Sequence, residues 1–202
     1  YPDIHIELTL SEAPVDLRRS QIDIDFRISP PVEAGVKRRM LFQSERYLVA
    51  APSYLAGKAA LQRPEDILAH DCLAYQRPGD EYTWLFKQNE QLSEIAFKPR
   101  HVSNNGIALL ELARMGEGFV LLDDYTVHND ILQGRLVRQL PDYRISNKGF
   151  DEGMYATIQD TPIIPAKIRL FLDFVADHVA GPERRFSAHG KATGWTTAPA
   201  TE

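Results

Sequence analysis

Apolar and polar residues alternate twice near the start of the chain. Ile4, Ile6, Leu8 and Leu10 are separated by His5, Glu7 and Thr9, and Ile22, Ile24, Phe26 and Ile28 by Asp23, Asp25 and Arg27. A period of two marks a strand with one buried face, so residues 4–10 and 22–28 are predicted strands. Ser11 ends the first. Pro30 and Pro31 end the second, because proline cannot donate to a ladder, and Ser29 is left at its carboxyl end. A short helix over residues 15–20 would lie between them, giving strand, helix, strand, the unit of a parallel sheet.

Two further strands are predicted over residues 36–42 and 46–51. Pro52 then opens a helical turn that Gly57 stops. Residues 63–68, with Pro64 near their start, read as a short helix leading into a strand at 72–76. Beyond a turn at 77–80 come Trp84 and Phe86, then strands at 95–98 and 100–103. Ile107, Leu109, Leu110, Leu112, Ala113 and Met115 follow Ser103-Asn104-Asn105-Gly106 as one face of a helix that stops at Gly116. A buried strand at 119–122 precedes Asp123-Asp124 and a helix over 125–133. Strands at 136–140 and 154–159 flank a polar turn region at 142–149. Ile168, Phe171, Leu172, Val175 and Val179 then share one face of a closing helix. After Gly181-Pro182 no apolar period remains, so residues 182–202 are expected to be a mobile tail, with Trp195 its one oddity.

In open α/β sheets ligands settle beyond the carboxyl ends of the strands, which makes Arg27 and Ser29 candidates for contact with a small molecule. Ser103, Asn104 and Asn105 stand at a helix start, where such side chains cap the first amides and where uncapped amides attract an anion. Asp123 and Asp124 are most simply helix caps, with no facing histidine or second carboxylate to make an acid/base pair.

Composition narrows the function. Among 202 residues, 23 Lys plus Arg against 28 Asp plus Glu give a net charge of −5, and the one basic cluster, Lys37-Arg38-Arg39, reads as a solvated strand or rim. Nothing here offers nucleic acid a broad positive face. The single cysteine, Cys72, reads as a buried strand thiol and allows no internal disulfide. His5, His70, His101, His128, His178 and His189 are too dispersed for a metal-ligand spacing, so no metal is assigned. No segment is long and apolar enough to span a bilayer, and the first residues lack the regions of a signal peptide, which points to the cytoplasm and away from a membrane. The lack of an initiating Met suggests a piece of a longer polypeptide. No G-x-S-x-G elbow is present, and Ser11, Ser29 and Ser103 have no sequence-evident base, so no catalytic residue is assigned.

The segments YPDIHIELTLS, VDLRRSQIDIDFRIS, VKRRMLFQSERYLVAAPSYLA, RPEDILAHDCLAY, the Trp84-x-Phe86 pair, SNNGIALLELARMGEGFVLLDDYTV, GRLVRQLPDY and IPAKIRLFLDFVADHV recur in order and spacing in a known family. Over about residues 1–181 the chain resembles the effector-binding domain of LysR-type transcriptional regulators. The resemblance implies an α/β fold of two Rossmann-like subdomains as in type 2 periplasmic binding proteins, joined by two crossover segments. Subdomain I would be residues 1–43 plus 152–181, and subdomain II residues 44–151. It also implies a small polar or carboxylate effector held in the cleft between subdomains and a homodimer or tetramer. DNA would be contacted only through an N-terminal winged helix-turn-helix absent from this chain. No cofactor and no enzymatic activity are implied. Carried over by position, the effector-binding residues are Ser11, Arg27, Ser29, Ser103, Asn104 and Asn105, with Leu122 and Asp123 at the end of a strand. Two departures stand out. The domain's usual first strand and helix are not in this chain, and Asp25 replaces a small residue two positions from Arg27 on the same strand face, where it would neutralise the arginine. The alternative with the same architecture is a periplasmic-type solute-binding protein serving a transporter.

Overall fold

The computed structural model describes residues 2–11, 15–28, 35–76, 79, 81–150, 153–179 and 194–197. Along the chain run β1 (Asp25–Arg27), β2 (Val36–Gln43), β3 (Arg46–Ala50), α1 (Pro52–Leu55), a 3-10 helix (Pro64–Ala69) and β4 (Cys72–Tyr75). There follow β5 (Tyr82–Gln88), β6 (Gln91–Phe97), β7 (His101–Ser103), α2 (Gly106–Arg114), β8 (Phe119–Asp123) and α3 (Asp124–Leu132). β9 (Val137–Gln139), β10 (Arg144–Ser146), β11 (Gly153–Gln159), α4 (Ala166–Val179) and β12 (Thr196–Thr197) complete the order. Two compact units result, residues 1–43 with 151–202 and residues 44–150.

The first unit is a four-stranded sheet in the order β1-β11-β2-β12, antiparallel throughout. Its core is Leu41, Ala156 and Ile158 from the sheet against Ile168, Leu172 and Ala176, one stripe of α4 at intervals of four. The amino-terminal expectations fail here. Residues 4–10 form no strand, and Ile6, Leu8 and Leu10 are 59%, 75% and 87% exposed. Alternation decides which way side chains would face, but a strand exists only when a neighbour completes its row of hydrogen bonds. Residues 15–20 make a single turn, with the Arg19 and Ser20 amides on the Asp16 carbonyl. The Asp16 carboxylate takes the Arg18 amide at 3.0 Å, a local bond that competes with helix propagation. Of residues 22–28 only the three of β1 are strand, with the Ile28 carbonyl adding a bond from the Gly153 amide, and they run antiparallel to β11 in the register Phe26↔Ala156, so the strand-helix-strand unit predicted there is not formed.

The second unit is a mixed sheet in the order β6-β5-β10-β3-β8-β4-β7, with β9 paired to β3. β4 runs parallel to both β7 and β8, and β3 antiparallel to β8. Its central strands are buried on both faces. Leu48 and Ala50 of β3, Cys72 of β4, and Phe119 and Leu121 of β8 face one core with Tyr54, Ile67, Trp84, Phe86 and Ile95. Val49, Leu73, Val120 and Leu122 face the other, under Leu109, Leu110 and Ala113 of α2 and Val127 of α3. This two-sided burial explains why these strands read as unbroken apolar runs.

β5 and β6 form a hairpin around Asn89 at φ 54°, longer than the strand expected at 95–98. β10 occupies the region expected to be only a turn. It holds one buried apolar residue, Ile145, between Arg144 and Ser146, too short a run to show a period, and pairs with Phe86 and Arg46. α2 ends as its glycine predicts: Gly116 at φ 82° sends its amide to the Ala113 carbonyl and the Glu117 amide to Leu112.

Asp130 of α3 is 1% exposed and paired with two guanidinium groups. Arg114 at the end of α2 approaches at 2.6 Å and Arg135 beyond α3 at 2.6 Å. The hydrogen bond from Arg114, ahead of that from Arg135, holds the Asp130 carboxyl below its ordinary range. Its contribution is therefore present above the ordinary carboxylate pKa and lost as pH falls through the lowered value. Asp130→Ala removes the anion that Arg114 and Arg135 share, leaving Arg114 only Glu111. Chemical denaturation at pH 7 is expected to show a loss of about 3 kcal/mol, the low end for a broken buried pair because both arginines reach water, and the loss should shrink in acid.

Candidate functional site

β7 and β8 flank β4 on opposite sides, so the chain order reverses at β4, and the crevice outside the carboxyl ends of such strands is where open α/β sheets take ligands. The register places the chemistry. Tyr75, the last residue of β4, lies opposite Ser103, the last of β7. Leu73 pairs with Val120, so Tyr75 is level with Leu122 near the end of β8. Ser103, Asn104 and Asn105 are thus brought together with Tyr75, whose contribution sequence reading missed. Its signal, a tyrosine closing CLAY, acquires meaning only once the parallel pairing with β7 is known.

These groups are already organised by one another. The Tyr75 hydroxyl donates to the Asn104 carbonyl at 2.5 Å, and the Gln76 amide donates to the Ser103 carbonyl at 2.8 Å. Ser103 Oγ accepts the Asn105 amide at 3.1 Å. Asn105 is the N-cap of α2: its Oδ1 accepts the amides of Ile107 and Ala108 at 2.9 and 3.1 Å. The capping role of Asn105 is therefore realised, and two amides an anion would seek are taken. The amide of Gly106 has no partner among the described residues, and a Cβ at that position would meet only Leu122 Cδ2, at 3.9 Å.

At the end of β8 the side chains divide. Leu122 is buried in the core beneath α2, so it packs rather than presenting itself to a ligand. Asp123 is the N-cap of α3 but makes no side-chain cap, contrary to expectation. Its carboxyl lies 3.7 Å from Arg46 and accepts the Tyr125 hydroxyl at 3.3 Å, while Arg46 also reaches Asn147 at 2.7 Å. Asp124 is 2% exposed and accepts the Ser44 hydroxyl at 2.8 Å and the Tyr125 amide at 2.9 Å. Burial raises the pKa of both carboxyls, and of the Tyr125 phenol. No group of three His, Cys, Asp or Glu able to hold a metal occurs among the described residues.

In the first unit Ser11 is exposed and Ser29 lies outside the described residues. Arg27 donates to Asp25 at 2.7 Å, with the two side chains 29% and 19% exposed, so its charge is matched on its own strand.

Three parallel strands with an antiparallel strand returning beside them, in a chain that passes twice between two α/β units, define a type 2 periplasmic-binding-protein-like domain. The profile of the family described as the LysR substrate binding domain matches residues 1–180, and the chain belongs to that family. It is 27% identical over 179 residues to the HTH-type transcriptional regulator PtxR of Pseudomonas aeruginosa, covering 89% of this chain and 56% of the relative. With the HTH-type transcriptional regulator CrgA of Neisseria meningitidis it shares 30% over 179 residues, covering 89% and 58%. The chain thus spans just over half the length of these relatives. Among solved structures, the CrgA regulatory domain superposes with a TM-score of 0.76 at 30% identity over 88% of this chain and 85% of that one. The regulatory domain of AphB from Vibrio vulnificus gives 0.71 at 26% over 88% and 86%.

Two measurements check the electrostatics. A carboxyl with a raised folded-state pKa costs stability as pH climbs from its unfolded value through the folded one, and the cost is complete above that. Asp124→Asn removes it, so melting curves should show the variant gaining on the parent as pH rises above the ordinary carboxylate range. Burial pushes the Cys72 thiol up to about 12. Folded protein at pH 8 is expected to resist iodoacetamide and to react fully once unfolded, as mass spectrometry would show.

Proposed function

We propose that this chain is the effector-sensing part of a LysR-type transcriptional regulator, and that a small polar or carboxylate molecule is taken at the carboxyl ends of β4, β7 and β8. The observation that carries the reading is the common level of Tyr75 and Ser103 at the point where strand order reverses, beside the Gly106 amide at the start of α2. The Ser103 hydroxyl, the carboxamide of Asn104 and a backbone N–H suit a ligand rich in acceptors, and the Tyr75 phenol, whose proton goes to the Asn104 carbonyl, holds that stretch in place. Arg27 is not part of this set, since Asp25 already holds it.

The ligand would act by favouring one arrangement of the whole protein over another, which requires different affinities for the two. Regulator is preferred over transporter-linked binding protein because the relatives are named as HTH-type transcriptional regulators. DNA contact would belong to a part of the whole protein outside this chain, working as a dimer or tetramer in the cytoplasm. The charge of the chain favours that division: it is −5, and within Lys37-Arg38-Arg39 the outer two pair with Asp160 at 3.1 Å and Asp173 at 2.7 Å. No helix among the described residues is long and apolar enough to cross a membrane.

A thermal-shift screen of small carboxylates and aromatic acids tests the proposal. A hit present at about 100 times its Kd should add about 2.7 kcal/mol of stability. Ser103→Ala should weaken that hit roughly tenfold, the worth of one hydrogen bond to a charged group, and Tyr75→Phe should weaken it by freeing the Asn104 carbonyl that the phenol holds. A hit indifferent to both substitutions would place the site elsewhere.

A further inference from the structure

Of residues 182–202, expected to be a mobile tail, only 194–197 are among the described residues, and they sit on a sheet edge. β2 is bonded on one side to β11 and on the other to β12, in the antiparallel register Thr196↔Arg38 and Thr197↔Lys37. Without β12, β2 would be the outer strand and would present a row of unpaired N–H and C=O groups, the template on which another extended segment pairs. Trp195, immediately before β12, is half-buried and packs against the core of Leu41, Ala156, Ile158 and the α4 stripe. Trp-Thr-Thr combines three residues that favour strands, and an aromatic ring gives a short strand far more apolar area than its two ladder positions could. The family profile ends at residue 180, so this segment lies beyond the part that defines the family.

We propose that the β2 edge is a strand-addition surface whose resident occupant is the chain's own segment 194–197, with Trp195 as the anchor that holds it there. The segment is a self-complementing strap. It closes by backbone pairing the part of the edge at Lys37 and Arg38, and its hold depends on one aromatic contact rather than on the length of the ladder. The assignment is independent of the ligand site, since every residue it uses belongs to the first unit.

Amide hydrogen exchange, read residue by residue by NMR on the full chain, tests this. Successive amides of β2 face β11 and β12 alternately, so the same strand supplies both probe and control. In the parent, the amides of residues 36–39 that face β12 should be protected, as should those of Thr196 or Thr197 that face β2. Trp195→Ala, which removes the anchor, and Thr196→Pro, which keeps it but breaks the ladder, should each speed exchange at the β12-facing amides by roughly tenfold or more, while the β11-facing amides stay slow. The proposal is overturned if the β12-facing amides are unprotected in the parent, or if both variants leave them slow. It is also overturned if both variants release the two sets together, because the segment would then be an integral part of the fold rather than a closure of its edge.

Discussion

The second unit rests on burial of β3, β8 and β4 from both sides. Leu48, Val49, Ala50, Phe119 and Val120 are completely buried, and alternate residues on each strand supply separate cores above and below the sheet. A strand so enclosed cannot slip by one residue, because its two faces meet differently shaped surroundings, the aromatic cluster of Trp84 and Phe86 on one side and the aliphatic floor of α2 on the other. Register is thereby fixed, and with it the alignment of Tyr75, Ser103 and Leu122. A large side chain here, such as Phe119 or Leu48, contributes on the order of 2 kcal/mol through burial alone.

Everything at the candidate site follows from that alignment. Leu122 packs beneath α2, and the hydroxyl and amide groups around the helix start are held both by local bonds and by the bonds from Tyr75 and Gln76 of the β4 end. Such a site is rigid before any ligand arrives, so little ordering of side chains is left to oppose binding. Asp124, just after the end of β8, has a structural part. Asp124 ties the Ser44 hydroxyl and the Glu45 carbonyl to the start of α3, fixing the stretch where the chain enters the second unit.

The elements with strong local signatures were legible. The runs LVAA, CLA and FVLL are strands because they are buried twice over, and α2 and α4 declare their inner faces by spacing. What was illegible depends on partners far along the chain. Residues 4–10 alternate as well as any strand yet form none, while β10, with a single apolar residue, is a strand because Phe86 and Arg46 lie where it can bond to them. The same division runs through the site. Ser103 and Asn105 were visible as a helix start, whereas Tyr75 became meaningful only through parallel pairing, and the pairing of Arg27 with Asp25 was one of the two arrangements their spacing allowed.

The place of β11 sets the order in which the molecule can be assembled. It lies between β1 and β2 in the first sheet, yet it is encoded after the whole of the second unit. A nascent chain therefore emerges with β1 and β2 lacking the strand that joins them, and the contiguous second unit can close its sheet while they wait. The first unit is in this sense the last to form, and the α4 face that seals its core arrives later still. Joining β11 to β1 and β2 closes a loop that contains the whole of the second unit, so this step carries the entropic cost of long-range pairing.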